Sequence, residues 1–171
     1  MYQLIEPTLD LENNFIDYIS EWEKAGDRIV PSATNRCGKA FSELIQEWCI
    51  DKTNAPYKKG FVPASLYFLI DEHKKILGAI QVRHELNDFL LDYGGHIGYG
   101  IRPSERRKGL ATKMLSMALE KARVLGIRRA LITCDKNNRG SAQTIMNNGG
   151  VLENEIIHED RITQRYWIQL D

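Results

Sequence analysis

The sequence predicts a mixed α/β sheet in a single domain, 1–171, and three observations lead there. The length of 171 residues suits one compact domain with a real core. Segments with helical apolar spacing alternate with short apolar runs of strand type. No internal repeat, low-complexity run or linker interrupts them.

The elements follow in order. YQLIE, near residue 2, reads as a first strand. Leu11, Phe15, Ile19 and Trp22 recur at helical spacing, and Gly26 ends that helix. GDRIVPSATNRCG is loop. Phe41, Leu44, Ile45, Trp48 and Cys49 mark a second helix. TNAPYKKGFVPA is loop again, broken by Pro56, Gly60 and Pro63. SLYFLIDEHKKILGAIQVRH carries two apolar runs around the polar turn DEHKK, a hairpin signature. ELNDFLLDYGG is a short helix or turn, and HIGYGIRP a strand stopped by Pro103. From Leu110 to Ala122 the apolar positions form one wide helical face, with Gly126 as the stop. RRALITCD is a strand. SAQTIMNN is a short helix closed by Gly149 and Gly150. VLENEII and TQRYWIQL form a final hairpin.

Composition narrows the function. Lys plus Arg balance Asp plus Glu at 23 each, which argues against a nucleic-acid binder. No apolar run is long enough for a membrane span. The first residues lack the basic and apolar regions of a signal peptide. Cys37, Cys49 and Cys134 lie far apart, so free thiols and a cytoplasmic location are expected. The four histidines are scattered, and no metal is expected.

ERRKGLATKML, from Glu105 to Leu115, is the most informative stretch. Arg106, Arg107 and Lys108 stand at the start of a helix, the end that already carries positive partial charge. An anion placed among them resolves the repulsion. The N–H groups of residues 107 to 111 can converge on it. Gly109 leaves room for its approach, and Ala111 keeps the first turn slim. The three basic side chains add charge-assisted contacts. An ATP-type loop needs GxxxxGK[ST], which is absent. A dinucleotide loop needs GxGxxG, and Pro103 stands where the third glycine after Gly98 and Gly100 belongs.

RRKGLA resembles the R/Q-x-x-G-x-G/A motif of the GCN5-related N-acetyltransferase (GNAT) family, with Arg106, Gly109 and Ala111 on its fixed positions. IGYGIRP resembles that family's fourth strand, and Asn138, Ser141 and Gly149-Gly150 fill the places of its next element. The resemblance spans roughly residues 65 to 157. It implies a mostly antiparallel sheet flanked by helices and split near the fourth strand. Residues 1–64 would hold the first strand and substrate-side helices, 65–157 the cofactor core and 158–171 the last strand. It implies acetyl-CoA as cosubstrate. The pyrophosphate would lie on residues 107 to 111, Leu110 among them. The pantetheine would pair with backbone near Tyr99, Gly100 and Ile101, and Asn138 and Ser141 would assist. Arg139 would stand towards the adenosine end.

The resemblance implies acetyl transfer to a primary amine of a small molecule or peptide. Two alternatives stay open, a non-catalytic acyl-CoA sensor and an acyltransferase using another acyl-CoA. A homodimer is an open expectation. A lysine-like amine needs roughly 4–5 kcal/mol to lose its proton at pH 7, and an α-amine only about 1. The family's usual Glu on the fourth strand is missing, for Gly94, Gly95 and His96 stand there. His96 becomes the candidate base, beside an open slot at Gly98 and Gly100, with Glu85 second. The family's Tyr, seven positions after Asn138, is Ile145 here, so Tyr99 or Tyr166 is the candidate acid. Cys134 raises a covalent acetyl-cysteine route beside the plain reading of a buried thiol. Arg83, His84 and Asn87 form the candidate substrate group.

Overall fold

The computed structural model describes residues 1–55 and 59–171. In chain order it runs β1 (Gln3–Ile5), α1 (Glu12–Ala25), α2 (Phe41–Asp51), β2 (Ala64–Ile70), β3 (Ile76–Arg83), β4 (Ile97–Ile101), α3 (Leu110–Val124), β5 (Arg129–Asp135), α4 (Arg139–Asn147), β6 (Val151–His158) and β7 (Arg161–Gln169). A π-helical turn, Leu90–Gly94, fills ELNDFLLDYGG. This is the order of elements expected from the sequence. Pro56, read as a loop breaker, lies outside the described residues.

Two antiparallel sheets result, β1-β2-β3-β4 and β5-β7-β6. All seven residues of β2 are buried, because helices cover both faces of the first sheet. Leu66, Phe68 and Ile70 pack with Phe15, Tyr18, Phe41 and Trp48 of α1 and α2. The Phe15 and Phe41 rings lie 4.9 Å apart. Tyr67 and Leu69 face the other way, towards Met114, Leu115 and Ala118 of α3. The period-two alternation of β2 thus feeds two cores.

The sheets are joined where β4 begins, at His96. The His96 N–H donates to the Leu131 carbonyl at 2.7 Å, and its own carbonyl accepts the Arg83 N–H at 2.7 Å. Beside it Gly95 has φ +64°, and a Cβ there would lie 2.6 Å from the Leu131 carbonyl oxygen. Only glycine permits that approach. Beyond this vertex β4 and β5 separate.

The far end of β4 is anchored to α1. The buried Arg102 side chain pairs with Asp17 at 2.6 Å and also with Glu21, which accepts the Ser104 N–H at 2.6 Å. These contacts set the angle at which the chain leaves β4 for the basic loop.

Candidate active site

The open side of the sheet leads to a cleft of about 920 Å³. Its lining includes Tyr99 and Ile101 of β4, Arg107 and Gly109 of the basic loop, and Asn138 and Ser141 at the start of α4. Most of the sequence-selected cofactor residues therefore meet in one place.

The basic loop has the form expected of an anion cradle. Gly109, at φ +75°, is the N-cap of α3. The N–H groups of residues 107 to 112 donate to no acceptor among the described residues, and the first helical return is Lys113 N–H to the Gly109 carbonyl. Six donors at a positive helix end need an anion or water.

The side chains correct the sequence reading in part. Arg106 does not stand free over the loop. Its Nη1 meets Asp27 at 2.6 Å, its Nε donates to the Ile101 carbonyl at 3.2 Å, and its guanidinium lies 4.9 Å from the Trp22 ring centroid. Lys108 pairs with Glu105 at 2.8 Å. Lys108 and Lys75 together hold the Glu105 carboxyl down at about 2. The protein's own carboxylates therefore compensate two of the three cations. Arg107 makes no ion pair among the described residues.

The edge of β4 facing the split is open. The Arg102 N–H bonds to the Leu77 carbonyl at 2.9 Å. By antiparallel alternation Gly98 and Gly100 also turn their backbone groups to β3, and Ile97, Tyr99 and Ile101 turn theirs to the split. Gly100 was expected to pair through its backbone, and it contributes shape instead. A Cβ at Gly100 would lie 2.3 Å from the Val30 carbonyl oxygen. The expected slot beside His96 is therefore not open. The loop after α1 fills it at Gly100, and Arg83 and Pro31 line it at Gly98, 3.8–4.0 Å from a Cβ position.

His96 is buried, and its Nδ1 accepts the Leu131 N–H at 2.9 Å. Burial, with help from Arg83, pulls its pKa down to about 4. The neutral ring must then carry its proton on Nε2, which leaves no free lone pair for a substrate proton. This geometry makes His96 a clasp of the two sheets and speaks against the expected base role. Glu85 is exposed in the turn after β3 and lines no part of the cleft.

Tyr99 reaches the far wall. Its hydroxyl lies 2.9 Å from Ser141 Oγ, and burial pushes its pKa up to about 12. Ile145 is fully buried in the core. Tyr166 hydrogen-bonds Gln164 at 2.8 Å and does not line the cleft. Cys134 is buried, and its thiol is pushed up to about 11 by desolvation, which disfavours the thiolate a covalent route needs.

Asn138 caps α4, with its Oδ1 accepting the Ser141 N–H at 3.0 Å. Its Nδ2 remains available to the cleft. Arg83, His84 and Asn87 do not act as one group. His84 Nε2 lies 2.8 Å from Ser65 Oγ. Asn87 ties its turn, with Nδ2 to the Gly60 carbonyl and Oδ1 from the Leu90 N–H, both at 2.9 Å. Only Arg83 reaches over β4. Sequence reasoning missed Asp27, Val30 and Thr144 in the lining. No local pattern marks them, apart from the turn at Gly26 that brings the first two over β4.

The family model described as an acetyltransferase (GNAT) domain matches residues 8–151. The chain belongs to the GNAT family. It is an acetyltransferase of that family, with acetyl-CoA as its cosubstrate. No curated protein matches the sequence. Among solved structures, a microcin C7 self-immunity acetyltransferase, MccE, in complex with acetyl-CoA and AMP, is 20% identical with TM-score 0.70. It matches over 98% of this chain and 92% of its own. A ribosomal-protein-S5-alanine acetyltransferase from Vibrio fischeri is 16% identical with TM-score 0.71, over 99% and 93%. A dodecameric spermidine N-acetyltransferase from Vibrio cholerae is 16% identical with TM-score 0.67, over 99% and 94%. At these identities the likeness is one of fold.

Among the described residues no helix is long and apolar enough to cross a membrane, and no three His, Cys, Asp or Glu side chains group as a metal site.

Proposed function

We propose that this chain moves an acetyl group from acetyl-CoA to a primary amine of a small molecule or peptide, with both bound at once. The observation that carries this reading is the row of unpartnered N–H groups at 107–112, placed where β4 leaves the split. A pyrophosphate fits that row, with Arg107 beside it. The pantetheine fits the open edge at Tyr99 and Ile101 as an added strand. Residues 65–157 then form the cofactor core, and α1, α2 and their loop form the acceptor side. The exposed free thiols Cys37 and Cys49 suit a reducing, cytoplasmic setting.

Bound acetyl-CoA supplies an activated thioester. The protein's own residues position and exclude. The carbonyl of Val30 and the ring of Trp22 close the space above Gly100, which favours a short acyl chain. Tyr99, kept protonated by burial, donates a hydrogen bond to the sulfur as it departs. With both nitrogens of His96 committed, no side chain of β4 takes the amine's proton. The acceptor loses it to water, which favours an amine of low pKa.

Thiol release from acetyl-CoA across polyamines, amino acids, aminoglycosides and peptide N-termini tests the proposal. Acetylated product from at least one class is expected. Tight CoA binding with no product from any amine would favour a sensing module, a reading prompted by Ile145 and the missing Glu. Faster turnover with propionyl- or succinyl-CoA would favour another acyl donor.

A further inference from the structure

Arg83 is a cation without a carboxylate. It ends β3 on the face of the sheet covered by α1 and α2. Its Nη1 donates to the carbonyls of Gly94 and Gly95, both at 3.1 Å. No ion pair reaches it among the described residues, and burial lowers its pKa from the ordinary guanidinium value. The charge persists nonetheless, since guanidinium does not lose its proton in proteins. The two arginines buried more deeply each have carboxylates, Arg102 with Asp17 and Glu21, and Arg165 with Glu153.

Nε and Nη2 make no hydrogen bond among the described residues and are not fully buried. They form one edge of the planar guanidinium, two parallel N–H groups that match the two oxygens of a carboxylate. The two carbonyls on Nη1 fix the plane. A methyl group at Gly98 would lie 3.8 Å from Nη2 and 3.9 Å from Nη1, so the guanidinium stands over β4 at Gly98, on the face covered by α1 and α2 and beyond the residues that line the cleft.

On the cofactor placement proposed above, the arm would start at residues 107–112, beyond Ile101, and run back along Tyr99. Its thioester end would then lie towards Gly98, on the strand that Arg83 covers. An acceptor whose anion binds Arg83 would present its amine on that same stretch of β4. His96, the neighbouring ionisable group, is neutral near pH 7. One cation suits one negative charge.

We propose that Arg83 binds the carboxylate of the acceptor, and that the acceptor is a small amino acid with amine and carboxylate close together. This rests on the acetyltransferase reading above. The bidentate pair orients the amine towards the thioester. The same cation repels the ammonium form and so favours the neutral, nucleophilic amine. A polyamine, with cations only, is disfavoured at this position.

The test compares the twenty common amino acids with their primary amides, using acetyl-CoA and the unmodified protein. With each rate referred to the concentration of unprotonated amine, because the amide's amine has the lower pKa, at least one amino acid is expected to exceed its amide in kcat/KM by tenfold or more. Arg83→Met should erase that preference through KM, with acetyl-CoA affinity within twofold of parental, and Arg83→Lys should restore part of it. Equal or better turnover of amides or polyamines would overturn the proposal and leave the acetyltransferase reading standing. Preference for an aminoalkyl phosphonate over the matching amino acid would overturn the choice of carboxylate. No acetylated product from any amine would remove both. If Arg83→Met fails to fold, the acid-to-amide comparison on the unmodified protein decides alone.

Discussion

His96 and Leu131 hold each other at two points: the His96 N–H bonds the Leu131 carbonyl at 2.7 Å, and Nδ1 accepts the Leu131 N–H at 2.9 Å. In a continuous sheet a backbone carbonyl would take that second bond. Here a side chain takes it, which lets β4 and β5 part just beyond.

His96→Ala leaves the buried Leu131 N–H without a partner, and a loss of about 1–3 kcal/mol in folding stability is expected from urea unfolding. The pH dependence carries a sign. Folding lowers the His96 pKa from 6.5 to about 4, so the unfolded chain takes up the proton first as pH falls. Its contribution is complete above pH 6.5 and is lost as pH drops towards 4. The parent should lose stability over that window, and His96→Ala should lose less. An equal loss in both would remove the clasp from the account.

Gly109→Glu places a carboxylate at the anion cradle, at a φ of +75° that suits glycine. The surrounding space is open, so the fold should survive with modest strain. Acetyl-CoA affinity should fall at least tenfold, about 1.4 kcal/mol. Calorimetry on the folded variant reads it directly, and parental affinity would refute the cradle.

Asn138→Ala removes both a helix cap and a cleft amide. Stability should fall by about 1 kcal/mol from the lost cap. CoA binding should weaken by about 0.5–1.5 kcal/mol more if Nδ2 meets the ligand. A stability loss without an affinity change would confine Asn138 to capping.

Tyr99→Phe keeps the ring packed and deletes the hydroxyl that lies 2.9 Å from Ser141 Oγ. A fall in kcat of about tenfold is expected, with acetyl-CoA affinity near parental. The raised pKa of about 12 also means that no alkaline limb from Tyr99 should appear below pH 10. Parental kcat would leave the departing thiolate to solvent.

Local signals made the fold legible. Helical spacing at Phe15, Ile19 and Trp22, the DEHKK turn and the glycine stops at Gly26 and Gly126 all lie within a few residues of what they determine. The basic loop was legible for the same reason, since its donors belong to one short stretch. The pairings across the site were not. Arg106 meets Asp27 across 79 residues, and His96 meets Leu131 across 35. Nothing beside Gly98 or Gly100 in the chain shows that Arg83, Pro31 and Val30 line the space they leave. His96 looked like a base because a near-neutral pKa is a property of the isolated imidazole. Burial and one backbone N–H changed that property.

The central claim is that acetyl-CoA completes the split sheet, with its phosphates on the start of α3. Amide hydrogen exchange with and without acetyl-CoA tests it most directly, because the N–H groups of residues 107–112 and the split-facing edge of β4 have no acceptors among the described residues to protect them. The account predicts marked slowing of exchange at residues 107–112 and at Tyr99 and Ile101 when acetyl-CoA is bound. Saturating acetyl-CoA that leaves those amides exchanging at the free rate, or that protects a different surface, would contradict it.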